Sequence, residues 1–127
     1  MPAYDAVRFD PPAPLAHVTL RNLTTGVHWS NVPMLLDSGA DVTLLPRAVL
    51  DQLDLIMLTD RQYELVGFDG EARMASAVKL ELVLAGRVFK GTFLLIEQDW
   101  GIIGRNILNA LPLIFDGPQH SWDVMNS

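Results

Sequence analysis

Short runs of alternating apolar and polar residues dominate this chain, and they predict many short β-strands. The segment from Val78 to Leu84 is the clearest, because apolar residues at every second position alternate there with Lys79 and Glu81. A period of two predicts a strand with one buried face. Comparable segments predict further strands at 16–21, 27–29, 32–36, 42–45, 61–66, 72–77, 88–96, 100–103 and 113–115. Many short strands at even spacing are typical of an all-β, barrel-like domain.

Two segments have helical rather than strand character. Residues 47–53 are expected to form a short helical turn, and residues 105–111 one or two turns of helix that end before Pro112. The prolines at positions 2, 11, 12 and 14 exclude helix from the N-terminus. The sequence therefore predicts three parts: a Pro-rich arm at 1–13, one folded domain at 14–117, and a tail at 118–127.

The tail remains open to several interpretations. Residues 120–124, which include Trp122, could add a strand, cap a dimer or carry a processing site.

Composition narrows the possible functions. The net charge of −6 and the absence of a basic cluster argue against a nucleic-acid partner. The chain has no cysteine, and its three histidines lack ligand spacing, so we expect neither a metal nor a cofactor. It has no secretory signal and no apolar stretch long enough for a membrane, which indicates a cytoplasmic protein with no membrane partner. A processed fragment of a longer precursor would have the same features.

The tripeptide Asp37-Ser38-Gly39 follows the apolar run that ends at Leu36. The run predicts a buried strand, and Gly39 permits a sharp turn after it, so the Asp37 carboxylate is expected at a strand end. The tripeptide alone is weak, because Asp-[Ser/Thr]-Gly arises by chance in roughly one chain in ten or twenty of this length. An ordinary strand followed by a turn would have the same sequence.

Three ordered segments together give a more specific signal. They are Leu35-Leu36-Asp37-Ser38-Gly39-Ala40-Asp41, the Gly67-Phe68-Asp69-Gly70 hairpin, and Gly101-Ile102-Ile103-Gly104-Arg105-Asn106-Ile107-Leu108. With these segments the chain resembles a retropepsin, the single-domain aspartic protease of retroviruses and their cellular relatives. The resemblance covers roughly residues 15–115.

The resemblance implies a closed, barrel-like acid protease fold with one short C-terminal helix, active as a homodimer. Two chains would bring two Asp37 carboxylates together on a two-fold axis. The pair would hold one proton and activate a water that attacks the peptide carbonyl. The implied activity is that of an aspartic endopeptidase that cuts between apolar residues of a peptide or an unfolded protein.

The resemblance also assigns roles to the neighbours of Asp37. The Ser38 hydroxyl would interlock with the partner subunit, and Gly39 would let the substrate backbone come close. Ala40 cannot donate a hydrogen bond to Asp37, whereas a serine could, so we expect a mildly acidic activity optimum. Asp41 and Arg105 resemble an intrasubunit ion pair that holds the active-site loop.

Substrate-facing residues are implied in two further places. Val66, Gly67, Phe68, Asp69 and Gly70 correspond to the mobile flap, although Asp69 stands where a further glycine is usual. Leu44, Trp100 and Ile102 correspond to the lining of the substrate pocket, and core packing is the alternative for Trp100.

Two other functions stay open. One is a retropepsin-like dimerisation or peptide-binding module with weak or no catalysis. The other is a membrane-tethered or precursor-embedded protease of which this chain is the soluble domain.

Overall fold

The computed structural model describes residues 1–66 and 72–125, with the side chains of 59–66 and 72–75 excepted. The elements in chain order are β1 (Tyr4–Asp5), β2 (Ala13–Arg21), β3 (His28–Leu36), β4 (Leu44–Pro46), α1 (Val49–Gln52), β5 (Leu58–Val66), β6 (Ala72–Leu84), β7 (Arg87–Ile96), β8 (Gly101–Ile103), α2 (Arg105–Leu108), β9 (Leu113–Asp116) and β10 (Ser121–Val124). The predicted all-β class is confirmed. The predicted short C-terminal helix is α2, and the one-turn helix α1 lies where residues 47–53 indicate a helical turn.

Six strands close a barrel in the order β2-β3-β8-β4-β7-β6, and the pairing of β2 with β6 completes the ring. Closure uses three residue pairs, of which Leu20 with Leu82 is the central one. β1 and β5 extend the sheet at its two ends, and β9 with β10 forms a separate two-stranded sheet. Closure removes the open edges of a flat sheet.

The alternating pattern of β6 explains its packing. Val78, Leu80 and Leu82 are fully buried, and the strand runs unbroken for 13 residues, so the two segments predicted at 72–77 and 78–84 are one strand. Their side chains enter the main core with those of β2, β3 and β8, which include Leu20, Val32, Met34 and Ile103.

Two segments predicted as separate strands, 27–29 and 32–36, are also one element, β3. Asn31 has a φ of 59°, and the β2–β3 register shifts between Val18 and Leu20. An irregularity of this kind bends a strand without ending it. The polar residues between the two apolar runs therefore mark a bend and not a loop.

Candidate active site

Asp37 lies directly beyond the end of β3, beside the parallel strand β8. Its N–H donates to the Ile103 carbonyl at 3.0 Å, so the β3–β8 ladder continues as far as Asp37. The chain then turns, because the Ala40 N–H donates to the Asp37 carbonyl at 3.2 Å. Asp37 is half-buried, whereas Ser38 and Gly39 are exposed. The predicted strand-to-turn geometry is therefore present at this tripeptide.

The Gly39 N–H holds the carboxylate of Asp37. It donates to Oδ1 at 2.9 Å and so fixes the orientation of the carboxylate. A Cβ added at Gly39 would lie only 3.1 Å from the same oxygen. Any larger residue at position 39 would therefore press on the carboxylate.

Arg105, the first residue of α2, fastens the loop through three contacts. Its backbone N–H donates to the Ala40 carbonyl at 2.8 Å, and its guanidinium donates to the Ser38 carbonyl at 2.7 Å. The guanidinium also contacts the Asp41 carboxylate, which is 82% exposed. The two motifs that lie far apart in the sequence, Asp37-Ser38-Gly39 and Gly104-Arg105, thus form one unit.

Thr43 provides a second connection that the sequence reasoning missed. Its side chain is 1% exposed, and its hydroxyl accepts from the Gly104 N–H at 3.1 Å and donates to Asn106 Oδ1 at 2.8 Å. A Cβ on Gly104 would lie 2.3 Å from the Val42 carbonyl oxygen, so the two segments touch through their backbones. The signal for this connection in the sequence is a polar residue inside the apolar run 42–45.

The face of the sheet that carries Asp37 is opposite the main core. Side chains alternate along a strand, and Leu36 and Ile103 point into the main core. Asp37 on the β3 side and Ile102 on the β8 side therefore point to the other face. Ile102 packs there against a small apolar cluster built on Leu44, Ala77 and Leu94.

Two of the predicted pocket residues, Leu44 and Ile102, share this face. Leu44 pairs with Ile102 in register, and both belong to the small cluster. Trp100 directly precedes β8, is half-buried, and its ring contacts Phe9 of the N-terminal arm. A hollow of about 120 Å³ beside the loop is lined by Val42, Thr43, Thr92, Leu94 and Asn106. A larger one, of about 250 Å³, lies instead between β2, β10 and the end of β6.

The predicted flap is only partly described. Val66 is the last residue of β5 and pairs with Ala72 of β6, which is consistent with a hairpin. Gly67, Phe68, Asp69 and Gly70 lie outside the described residues.

The described residues contain neither a candidate metal site nor a candidate membrane-spanning helix. No group of three or more His, Cys, Asp or Glu residues among them could hold a metal ion. None of their helices has the length and apolar character to cross a membrane.

Comparison with known proteins points to a fold. No family model matches the chain, and neither does any curated protein. Among solved structures the chain is similar to EIAV protease in complex with the inhibitor HBY-793, with a TM-score of 0.57 and 24% sequence identity, over 77% of this chain and 86% of that chain. The chain therefore has an all-β fold similar to that of a retroviral protease.

Proposed function

We propose that this chain is an aspartic endopeptidase whose catalytic pair is Asp37 and the same residue of a second copy. The observation that carries the proposal is the placement of Asp37. Its carboxylate stands at a strand end, held by the Gly39 N–H, on the sheet face that also bears an apolar cluster. A fold similar to that of a retroviral protease supports the same reaction.

The chemistry follows from two carboxylates in contact. Like charges at contact cannot both ionise, so the pair shares one proton. The ionised member takes a proton from a bound water, whose oxygen attacks the peptide carbonyl. The protonated member donates to the carbonyl oxygen and stabilises its developing negative charge. The apolar cluster beside Asp37 fits apolar side chains on either side of the cut bond.

The β9 edge supports a symmetric dimer. β10 pairs with β9 on one side, and its other side is covered by the N-terminus, because the Trp122 N–H donates to the Pro2 carbonyl at 2.9 Å. Among the described residues nothing pairs with the opposite edge of β9. Two antiparallel copies of one strand are related by a two-fold axis, so a second copy would complete a four-stranded sheet.

Two apolar side chains of β9 also lack cover. Ile114 is 41% exposed and Phe115 is 49% exposed. Phe115 stands opposite Trp122 in the β9–β10 pair and therefore shares its face, on which Trp122 is buried against the main core. Ile114 lies on the opposite face, so pairing of β9 with a second copy would reduce the exposure of one apolar side chain on each face, which favours association.

Peptide cleavage tests the proposed mechanism. The protein and its Asp37→Asn variant are incubated with a mixed peptide library from acidic to neutral pH, and the products are identified by mass spectrometry. We expect cleavage between apolar residues by the wild type and none by the variant. Cleavage that persists in Asp37→Asn would refute the mechanism. Binding of peptides by both proteins without cleavage would favour the peptide-binding module.

Association is tested by sedimentation. Phe115→Arg places a charge at the β9 edge, and we expect it to yield a folded monomer without peptidase activity. Val88→Arg is the matched control, because Val88 is another half-exposed apolar residue, at the start of β7. A wild-type protein that cleaves peptides as a strict monomer would contradict the shared dyad.

The pH optimum tests the role of position 40. In Ala40→Ser the new hydroxyl could donate to the Asp37 carboxylate and favour its charged form. We expect the optimum of kcat/KM to move to lower pH. An optimum that is unchanged or higher would refute this role.

A further inference from the structure

The N-terminal arm is a built loop that returns to the barrel. Tyr4 and Asp5 of β1 pair with Pro14 and Ala13 of β2, so residues 6–12 form a closed connection. The Asp5 carboxylate accepts from the backbone N–H of Val7 at 2.9 Å and of Arg8 at 2.7 Å. These bonds fix the backbone directly before Phe9.

Phe9 is the residue that joins this loop to the proposed active site. Its ring meets the indole of Trp100 edge to face, with centroids 4.9 Å apart and an interplanar angle of 66°. This is the favourable geometry for an aromatic pair. Val7 lies in the same loop but is 95% exposed. A place in this loop is therefore not enough to bring a side chain into contact with the rest of the protein.

Trp100 is fixed from a second direction. The Gln98 side-chain amide donates to the Trp100 carbonyl at 2.9 Å, so the backbone is held while Phe9 limits the ring. Trp100 lies four residues back from the level of Asp37, roughly 13 Å along the sheet at about 3.3 Å per residue. Trp100 stands two residues before Ile102, so under the proposed function its indole would border the aliphatic surface that Ile102 and Leu44 form.

We propose that Phe9 is a positioning residue that holds the Trp100 indole as a rigid wall of the substrate site, and so selects aliphatic side chains over aromatic ones. The proposal rests on the proposed function for the peptide substrate. Leu44 and Ile102 form an aliphatic surface on the sheet face that carries Asp37. An aromatic substrate side chain would need Trp100 to swing away, and that movement breaks the contact with Phe9.

The test compares peptides that differ in one residue. Leucine and phenylalanine are exchanged at each of the two positions on either side of the cut bond, and kcat/KM is measured for each peptide. Phe9→Ala should reduce the preference for leucine by roughly two- to tenfold, the value of one aromatic contact. A general loss of stability would lower both rates together and leave their ratio unchanged.

Two variants serve as controls. Phe9→Tyr keeps the edge contact and should keep the wild-type ratio. Val7→Ala changes an exposed residue of the same loop and should also keep it. A Phe9→Ala ratio equal to that of Val7→Ala, in a protein that cleaves peptides, would overturn the inference and leave the proposed function standing.

Equilibrium binding distinguishes failure of the proposed function from failure of the role assigned to Phe9. The same peptides are titrated against the Asp37→Asn protein, with and without Phe9→Ala, by fluorescence anisotropy. If the wild type cleaves no peptide but Phe9→Ala still weakens the leucine preference in binding, the proposed function fails and the role of Phe9 holds. If no peptide is cleaved or bound, both are overturned.

Discussion

Replacing Thr43 with valine removes one buried hydroxyl from the junction between β4 and α2 while keeping the shape of the side chain. The Gly104 N–H, which is buried, would lose the acceptor at 3.1 Å, whereas the exposed Asn106 could turn to water. Leaving a buried donor unsatisfied costs about 1–3 kcal/mol. No cavity forms, because valine and threonine have nearly the same volume. We therefore expect the free energy of unfolding to fall by about 2 kcal/mol.

Urea unfolding followed by circular dichroism measures this change. The protein concentration must be fixed, because dimerisation would make the apparent stability depend on it. Thr92→Val is the control: Thr92 is exposed on β7, and exposed substitutions usually change stability by less than about 0.5 kcal/mol. Amide exchange of Gly104 should also accelerate in Thr43→Val. A Thr43→Val protein as stable as Thr92→Val would refute the reasoning.

The remaining predictions concern charge and close packing. Arg105→Lys should lower kcat/KM roughly ten- to a hundredfold, because one ammonium cannot replace the fork that holds the loop. Asp41→Asn should lower kcat/KM less than Arg105→Lys does, because the Asp41 carboxylate is exposed and an exposed ion pair contributes less than about 1 kcal/mol. Equal losses of activity in the two variants would contradict this. Gly104→Ala should lower the free energy of unfolding by about 3 kcal/mol, since its Cβ would meet the Val42 carbonyl; a loss under about 1 kcal/mol in urea unfolding would show that the backbones can separate. The hydrogen bond from the Arg8 backbone lowers the pKa of Asp5 below its ordinary value of 3.8. The arm is therefore stabilised above that pH and loses this contribution as the pH falls through the native pKa, and an Asp5 carboxyl that titrates at or above 3.8 by NMR would contradict the loop.

The parts of the fold that local sequence encodes could be predicted. Alternation from Val78 to Leu84 specifies the buried face of β6, and Gly86 suits the positive φ that it adopts in the turn after the strand. Closure of the barrel could not be predicted in the same way. Pairs such as Leu20 with Leu82 join distant segments, and any two apolar strands offer the same backbone groups.

The candidate site likewise has residues that local sequence predicts and residues that it does not. Asp37 could be singled out because a strand, a carboxylate and a glycine are adjacent in sequence. The role of Thr43 could not, because a lone polar residue in an apolar run needs a partner without indicating which one. The prolines exclude helix from the arm, but they do not predict how the arm folds. The Asp5 carboxylate accepts hydrogen bonds there from backbone N–H groups, which nearly every residue has.

The packing around β8 also limits how this protein could change its preference for substrates. A Cβ on Gly101 would lie 2.5 Å from the Leu44 carbonyl oxygen, Gly104 is closed off by Val42 in the same way, and Ile103 is fully buried in the core. Among residues 100–104, Trp100 and Ile102 can vary without moving this backbone or the main core, and Arg105 beyond them holds the loop. Natural variation and laboratory selection in this segment should therefore both converge on these two positions.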